Sequence, residues 1–116
     1  MSEIHLTVGG TMEEDASRRF IAAWRRAERG EKVRERCLAF ESWETLAHVL
    51  TGKRVELLSY VRRHEVTSIR SLAKALGRDY SNVYADVMTL AEAGLLEKTA
   101  KSVRADYDAI ETRIAI

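Results

Sequence analysis

The stretch VTSIRSLAKALGRDYSNVYADVMTLAEAGLL, residues 66–96, carries two helical periods separated by a turn. Ser68 has the hydroxyl that caps a helix start, and Ile69, Leu72, Ala73 and Leu76 follow at i, i+3, i+4 and i+7 to make one apolar stripe. Gly77 permits the positive φ that ends such a helix, and Arg78 with Asp79 makes a tight turn. Asp79 is placed to cap a second, longer helix over 80–93, in which Val83, Val87, Leu90 and Ala91 recur at i, i+4, i+7 and i+8. A helix, a short glycine-containing turn and a longer helix make a helix-turn-helix.

What the second helix shows to water follows from its period. At about 100° per residue and with Val83 turned inward, the outward face holds Ser81, Asn82, Ala85, Met88 and Thr89, with Tyr84 at its flank. This face is small and uncharged, so the helix fits deep in a DNA major groove. There Asn pairs with adenine, Ser or Thr with several bases, and Ala touches a thymine methyl. Ser81, Asn82, Tyr84, Ala85 and Thr89 are therefore the candidate base-reading residues. Arg70, Lys74 and Arg78 flank them as candidate phosphate contacts, which set register but carry no sequence information. After Gly94 a hairpin is expected over 95–104, turning near Ala100, Lys101 and Ser102. It places Lys98, Lys101 and Arg104 as a wing beside the backbone of the adjacent groove.

Working toward the N-terminus, Ser42 caps a short helix to about Leu50. Thr51 and Gly52 restart another to about His64, with Val55, Leu58 and Val61 facing inward. Residues 33–40 have the composition of a strand. Ile4, Leu6 and Val8 alternate with His5 and Thr7, the period of a half-exposed strand. Between these strands Thr11 and Glu14 form a capping box, and Met12, Ala16, Phe20, Ala23, Trp24 and Ala27 line one stripe of a helix that stops at Gly30. At the other end Ile110, Thr112, Ile114 and Ile116 alternate with Glu111, Arg113 and Ala115. This terminal strand needs a partner, for which residues 4–8 of the same or another chain are the candidate. The expected fold class is α+β, mainly α with a small β-sheet. Residues 1–41 form a strand-helix arm suited to dimerisation, and residues 42–116 a winged helix-turn-helix region, in one compact domain of 116 residues.

Composition narrows the function. An apolar fraction of 46% beside 32% charged residues is that of a folding globular chain, not of a disordered one. No apolar run approaches the roughly 20 residues needed to cross a bilayer, and the start lacks a signal peptide's basic and apolar regions, so a cytoplasmic protein with no membrane partner is expected. The net charge of +1 conceals an uneven distribution. Residues 52–78 hold Lys53, Arg54, Arg62, Arg63, Arg70, Lys74 and Arg78 against only Glu56 and Glu65, a surface suited to an anionic polymer. Cys37 is the single cysteine and reads as a small buried apolar residue. His5, His48 and His64 have no spacing that brings two to one helix turn and no carboxylate cluster beside them, so no metal or other cofactor is expected. Asp86 reads as the partner of a nearby arginine. With no glycine-rich phosphate loop, no Ser-His-Asp set and no paired carboxylates, the chain does not read as an enzyme.

The run SIRSLAKALGRDYSNVYADVMTLAEAGLL, followed by a short basic strand and a YD step at Tyr107 and Asp108, resembles the MarR-like winged-helix transcriptional regulators. It is most similar to small single-domain prokaryotic regulators, some of which act beside toxin genes as antitoxin-like repressors. The resemblance covers residues 42–116. It implies a homodimer that represses transcription, with the helix 80–93 as reader and the 98–104 hairpin as wing. The hairpin is shorter and less basic than in many winged helices, and no ligand pocket carries over. The function expected is sequence-specific binding of double-stranded DNA by a transcriptional regulator. The alternative is an antitoxin-like or scaffold module that binds a protein partner such as a toxin, for which an acidic patch of Asp79, Asp86 and Glu92 is the feature to look for.

Overall fold

A computed structural model describes residues 3–9 and 35–116, which form four helices and five strands. They fall into two compact units: residues up to 46 together with 107–116, and residues 47–106. The terminal segment expected to belong with 42–116 thus joins the N-terminal strands instead. The helix expected over residues 11–30 lies outside the described residues.

The first unit is a three-stranded parallel sheet of β1 (Glu3–Val8), β2 (Glu35–Phe40) and, from the C-terminal end, Ala109–Ile114, with β1 in the middle. Glu3 lies opposite Glu35 on one side and Ala109 on the other, and the register continues through Val8 opposite Phe40 and Ile114. The terminal strand finds its partner in the same chain. β1 departs from the half-exposed strand its alternation suggested, because Ile4, Leu6 and Val8 and also His5 and Thr7 are buried. Parallel strands are typically covered on both faces, so polar residues on the second face are enclosed too. Cys37, expected inside, lies on the edge strand β2 and is exposed. Nor is His5 without carboxylates, for Glu3 and Glu111 flank it.

The helix α1 (Trp43–Val49) begins in this unit and ends in the second. The Ser42 hydroxyl accepts the Thr45 amide at 3.2 Å, as a cap should. In the second unit α2 (Gly52–Arg63) starts on Thr51, whose hydroxyl accepts the Arg54 amide. Its inward stripe is Leu57, Leu58 and Val61. Val55, expected inside, is 49% exposed, and Leu57 takes the place given to it.

α3 (Ile69–Leu76) and α4 (Tyr80–Glu92) follow as the sequence periods predict. Ser68 caps α3 by accepting the Ser71 amide at 3.1 Å. Asp79 occupies the cap position of α4, but its side chain makes no capping bond. Both helices stop in the same manner. Gly77 has φ 65°, with Arg78 N–H donating to the Ala73 carbonyl and Gly77 N–H to that of Lys74. Gly94 has φ 84°, with Leu95 N–H donating to Leu90 and Gly94 N–H to Ala91. These pairs of bonds satisfy carbonyls that the helix itself leaves open, and they require a left-handed residue that glycine supplies without strain.

A hairpin of β3 (Glu97–Lys98) and β4 (Val103–Arg104), antiparallel, completes the unit, and the terminal strand described above is β5. Val103 N–H also donates to the Val66 carbonyl at 2.9 Å, so the segment before α3 is tied to the hairpin. The core gathers Leu57, Leu72, Val83, Val87, Leu90, Leu95 and Val103, all almost completely buried. Each such side chain stabilises the fold by roughly 1.5–3 kcal/mol. None of the helices formed by the described residues is long and apolar enough to cross a membrane.

Candidate nucleic-acid interface

Packing of Val83, Val87 and Leu90 fixes which side of α4 remains outside. Ser81, Asn82 and Ala85 are exposed on it, and Tyr84 is 44% exposed. Thr89 and Met88, placed on the same face by the ideal helical angle, are half-buried, so the accessible surface is concentrated in the first half of the helix.

Asp86 is the exception to the apolar inner face. It is buried, its Oδ1 accepts from Arg54 Nε at 3.0 Å, and its Oδ2 lies 2.8 Å from Arg78 Nη2. Arg54 also donates through Nη1 to the carbonyls of His48 at 2.6 Å and Val49 at 3.1 Å. One guanidinium thereby satisfies orphan carbonyls at the end of α1 while its other edge meets α4. The arginine partner expected for Asp86 is thus two arginines. They also change the reading of the basic segment: Arg78, a candidate phosphate contact, is half-buried against Asp86, and Arg54 is held inside the fold. The acidic patch of Asp79, Asp86 and Glu92 does not assemble, because its middle member is enclosed.

The remaining cations are placed differently. Arg70, Lys74, Lys98, Lys101 and Arg104 are all exposed. The Arg70 guanidinium lies 5.4 Å from the centre of the Tyr80 ring, and the Tyr80 and Tyr84 rings are 6.0 Å apart and tilted by 36°. A cation over an exposed tyrosine is held by about 0.5–1 kcal/mol, enough to bias Arg70 toward the start of α4. Arg104 Nη2 meets Asp106 Oδ1 at 3.3 Å, a surface pair that leaves it accessible. In the hairpin turn the Thr99 and Ser102 hydroxyls are 2.9 Å apart, and Lys101 N–H donates to Thr99.

Ser68, Arg70, Tyr80, Tyr84, Lys98 and Thr99 line an open cleft of about 310 Å³ between α3, α4 and the hairpin. Of the candidate residues it unites Arg70, Tyr84 and Lys98, whereas Lys74, Lys101 and Arg104 lie outside its lining. Tyr80 was not among the residues chosen from the sequence. Its position at the first turn of α4, four residues before Tyr84 and ten after Arg70, was the available signal. The chemical character of the surface is therefore hydrogen-bonding side chains on one helix, two tyrosine rings and exposed cations on either side.

The family model of HVO_A0114 matches residues 49–112, more than half of the chain. The chain belongs to the HVO_A0114 family. The HVO_A0114 match spans every candidate base-reading and phosphate residue, and leaves β1 and β2 outside it. No curated protein and no solved structure matches the chain.

Proposed function

We propose that this member of the HVO_A0114 family is a sequence-specific double-stranded DNA-binding transcriptional regulator, a MarR-like winged helix-turn-helix that acts as a homodimeric repressor. The observation that carries the reading is the exposed, uncharged face of Ser81, Asn82 and Ala85 on α4, with exposed cations on the preceding helix and on the hairpin. A helix of this kind enters the major groove because nothing on its face repels the bases. The flanking cations then meet the phosphates on both sides of the groove. In a dimer, two such helices read half-sites about one helical turn apart, and occupancy blocks transcription. Arg70, Lys74, Lys98, Lys101 and Arg104 are the phosphate contacts, Ser81, Asn82, Tyr84 and Ala85 the readers, and Arg78 holds α4 in place through Asp86.

The test is selection of bound fragments from genomic DNA, followed by fluorescence anisotropy on the selected site. Asn82→Ala should lower discrimination at one base pair by about 1–3 kcal/mol while leaving binding to unrelated DNA unchanged. The double variant K98A/K101A should weaken all sequences alike. Binding that is equal on selected and random DNA, or unaffected by all three substitutions, would reject this surface.

A further inference from the structure

We infer that Glu3, His5 and Glu111 form a binding site for a divalent transition-metal ion of the zinc type. The parallel register places Glu111 directly opposite His5, and Glu3 precedes His5 by two residues on the same face of β1. His5 is 6% exposed, and a carboxylate approaches each of its ring nitrogens: Nδ1 lies 3.4 Å from Glu111 Oε2 and Nε2 lies 3.7 Å from Glu3 Oε2. One donor atom from each of the three residues falls within 4.8 Å of the others.

The distances suit a shared ion. Zinc bonds to nitrogen and carboxylate oxygen are roughly 2.0–2.2 Å, which in a tetrahedron separates donor atoms by about 3.3–3.6 Å. His5 Nδ1 and Glu111 already have that separation, and the Glu3 carboxylate, which lies nearest Nε2, has to turn toward the Nδ1 side to complete the set. The donor types are as informative. An imidazole with two carboxylates favours zinc and its first-row neighbours over calcium or magnesium, which take all-oxygen sites. The site joins β1 to β5, strands from opposite ends of the chain, so an ion here closes a long loop of the unfolded chain and stabilises the sheet.

The experiment uses full-length, tag-free protein stripped with chelator. Zn²⁺ should raise its Tm, and Co²⁺ should bind in one equivalent with visible d–d absorption of a low-coordinate site. Glu3→Gln and Glu111→Gln keep the side-chain shape, and each should retain the metal-free Tm while weakening Co²⁺ binding by roughly ten- to a hundredfold or more. His48→Ala and His64→Ala, which change exposed histidines elsewhere, should bind as the parent does. Absence of stoichiometric uptake would overturn the assignment, as would uptake unchanged in both Gln variants or lost in either distant histidine variant.

Discussion

Asp86 shows why a single residue can resist assignment from sequence. On an ideal helix it lies off the inward direction, yet the structure encloses it between Arg54 and Arg78. Taking away the carboxylate leaves two guanidinium groups with reduced solvation and no counter-charge, the costly way to break a buried pair. Asp86→Ala should destabilise the protein by about 2–4 kcal/mol, below the extreme because both arginines retain some solvent contact; urea denaturation measures it. Tyr107 offers a second residue-level test. Burial pushes its phenol up to about 12 from the ordinary 10.0, against a smaller downward pull from Arg36. Because the folded state holds the proton more tightly, its contribution is fully present below pH 10 and is lost as pH rises through about 12. Tm measured across that window should fall more steeply for the parent than for Tyr107→Phe, and parallel curves would contradict the assignment.

At the scale of elements, caps and stops were the most legible features. Ser42, Thr51 and Ser68 each begin the helix expected of them, since a hydroxyl at that position satisfies an amide whatever the rest of the fold does. Gly77 and Gly94 end α3 and α4 for an equally local reason. A Cβ at Gly77 would meet nothing within 4 Å, so a substitution there costs only the strain of a left-handed backbone. Gly77→Ala should therefore lower stability by about 1 kcal/mol and Gly77→Asn by less, as thermal unfolding would show; equal stability of all three would mean the turn relaxes into another conformation. Less legible was α2, where the inward stripe includes Leu57 and leaves Val55 outside. A short helix rich in apolar residues offers more than one stripe, and packing chooses among them.

For the whole molecule, the charge that matters is the charge left over after internal pairing. Seven cations between residues 52 and 78 suggested a broad basic surface, but Arg54 and Arg78 are committed to Asp86. The proposed interface relies on Arg70, Lys74, Lys98, Lys101 and Arg104. Each phosphate contact contributes about −0.9 to the slope of log affinity against log salt, so five contacts predict a slope near −4.5 per chain. Anisotropy titrations over a range of salt should give that value, and the K98A/K101A double variant should reduce its magnitude by about 1.8. A slope that is unaltered by removing both lysines would place the hairpin away from the nucleic acid.

Local chemistry alone determined the helices from Ser42 onward, the hairpin after Gly94, the strand character of both chain ends and the outward surface around Asn82. These follow from periodicity, caps and left-handed glycines, which act over a few residues. Tertiary structure alone decided that β1 is a central strand buried from Ile4 to Val8, that Cys37 is exposed, that two arginines serve Asp86, and that Glu3 and Glu111 meet at His5. Each of these depends on residues far apart in the chain arriving at one place, and no local pattern records which strand or helix a side chain will meet.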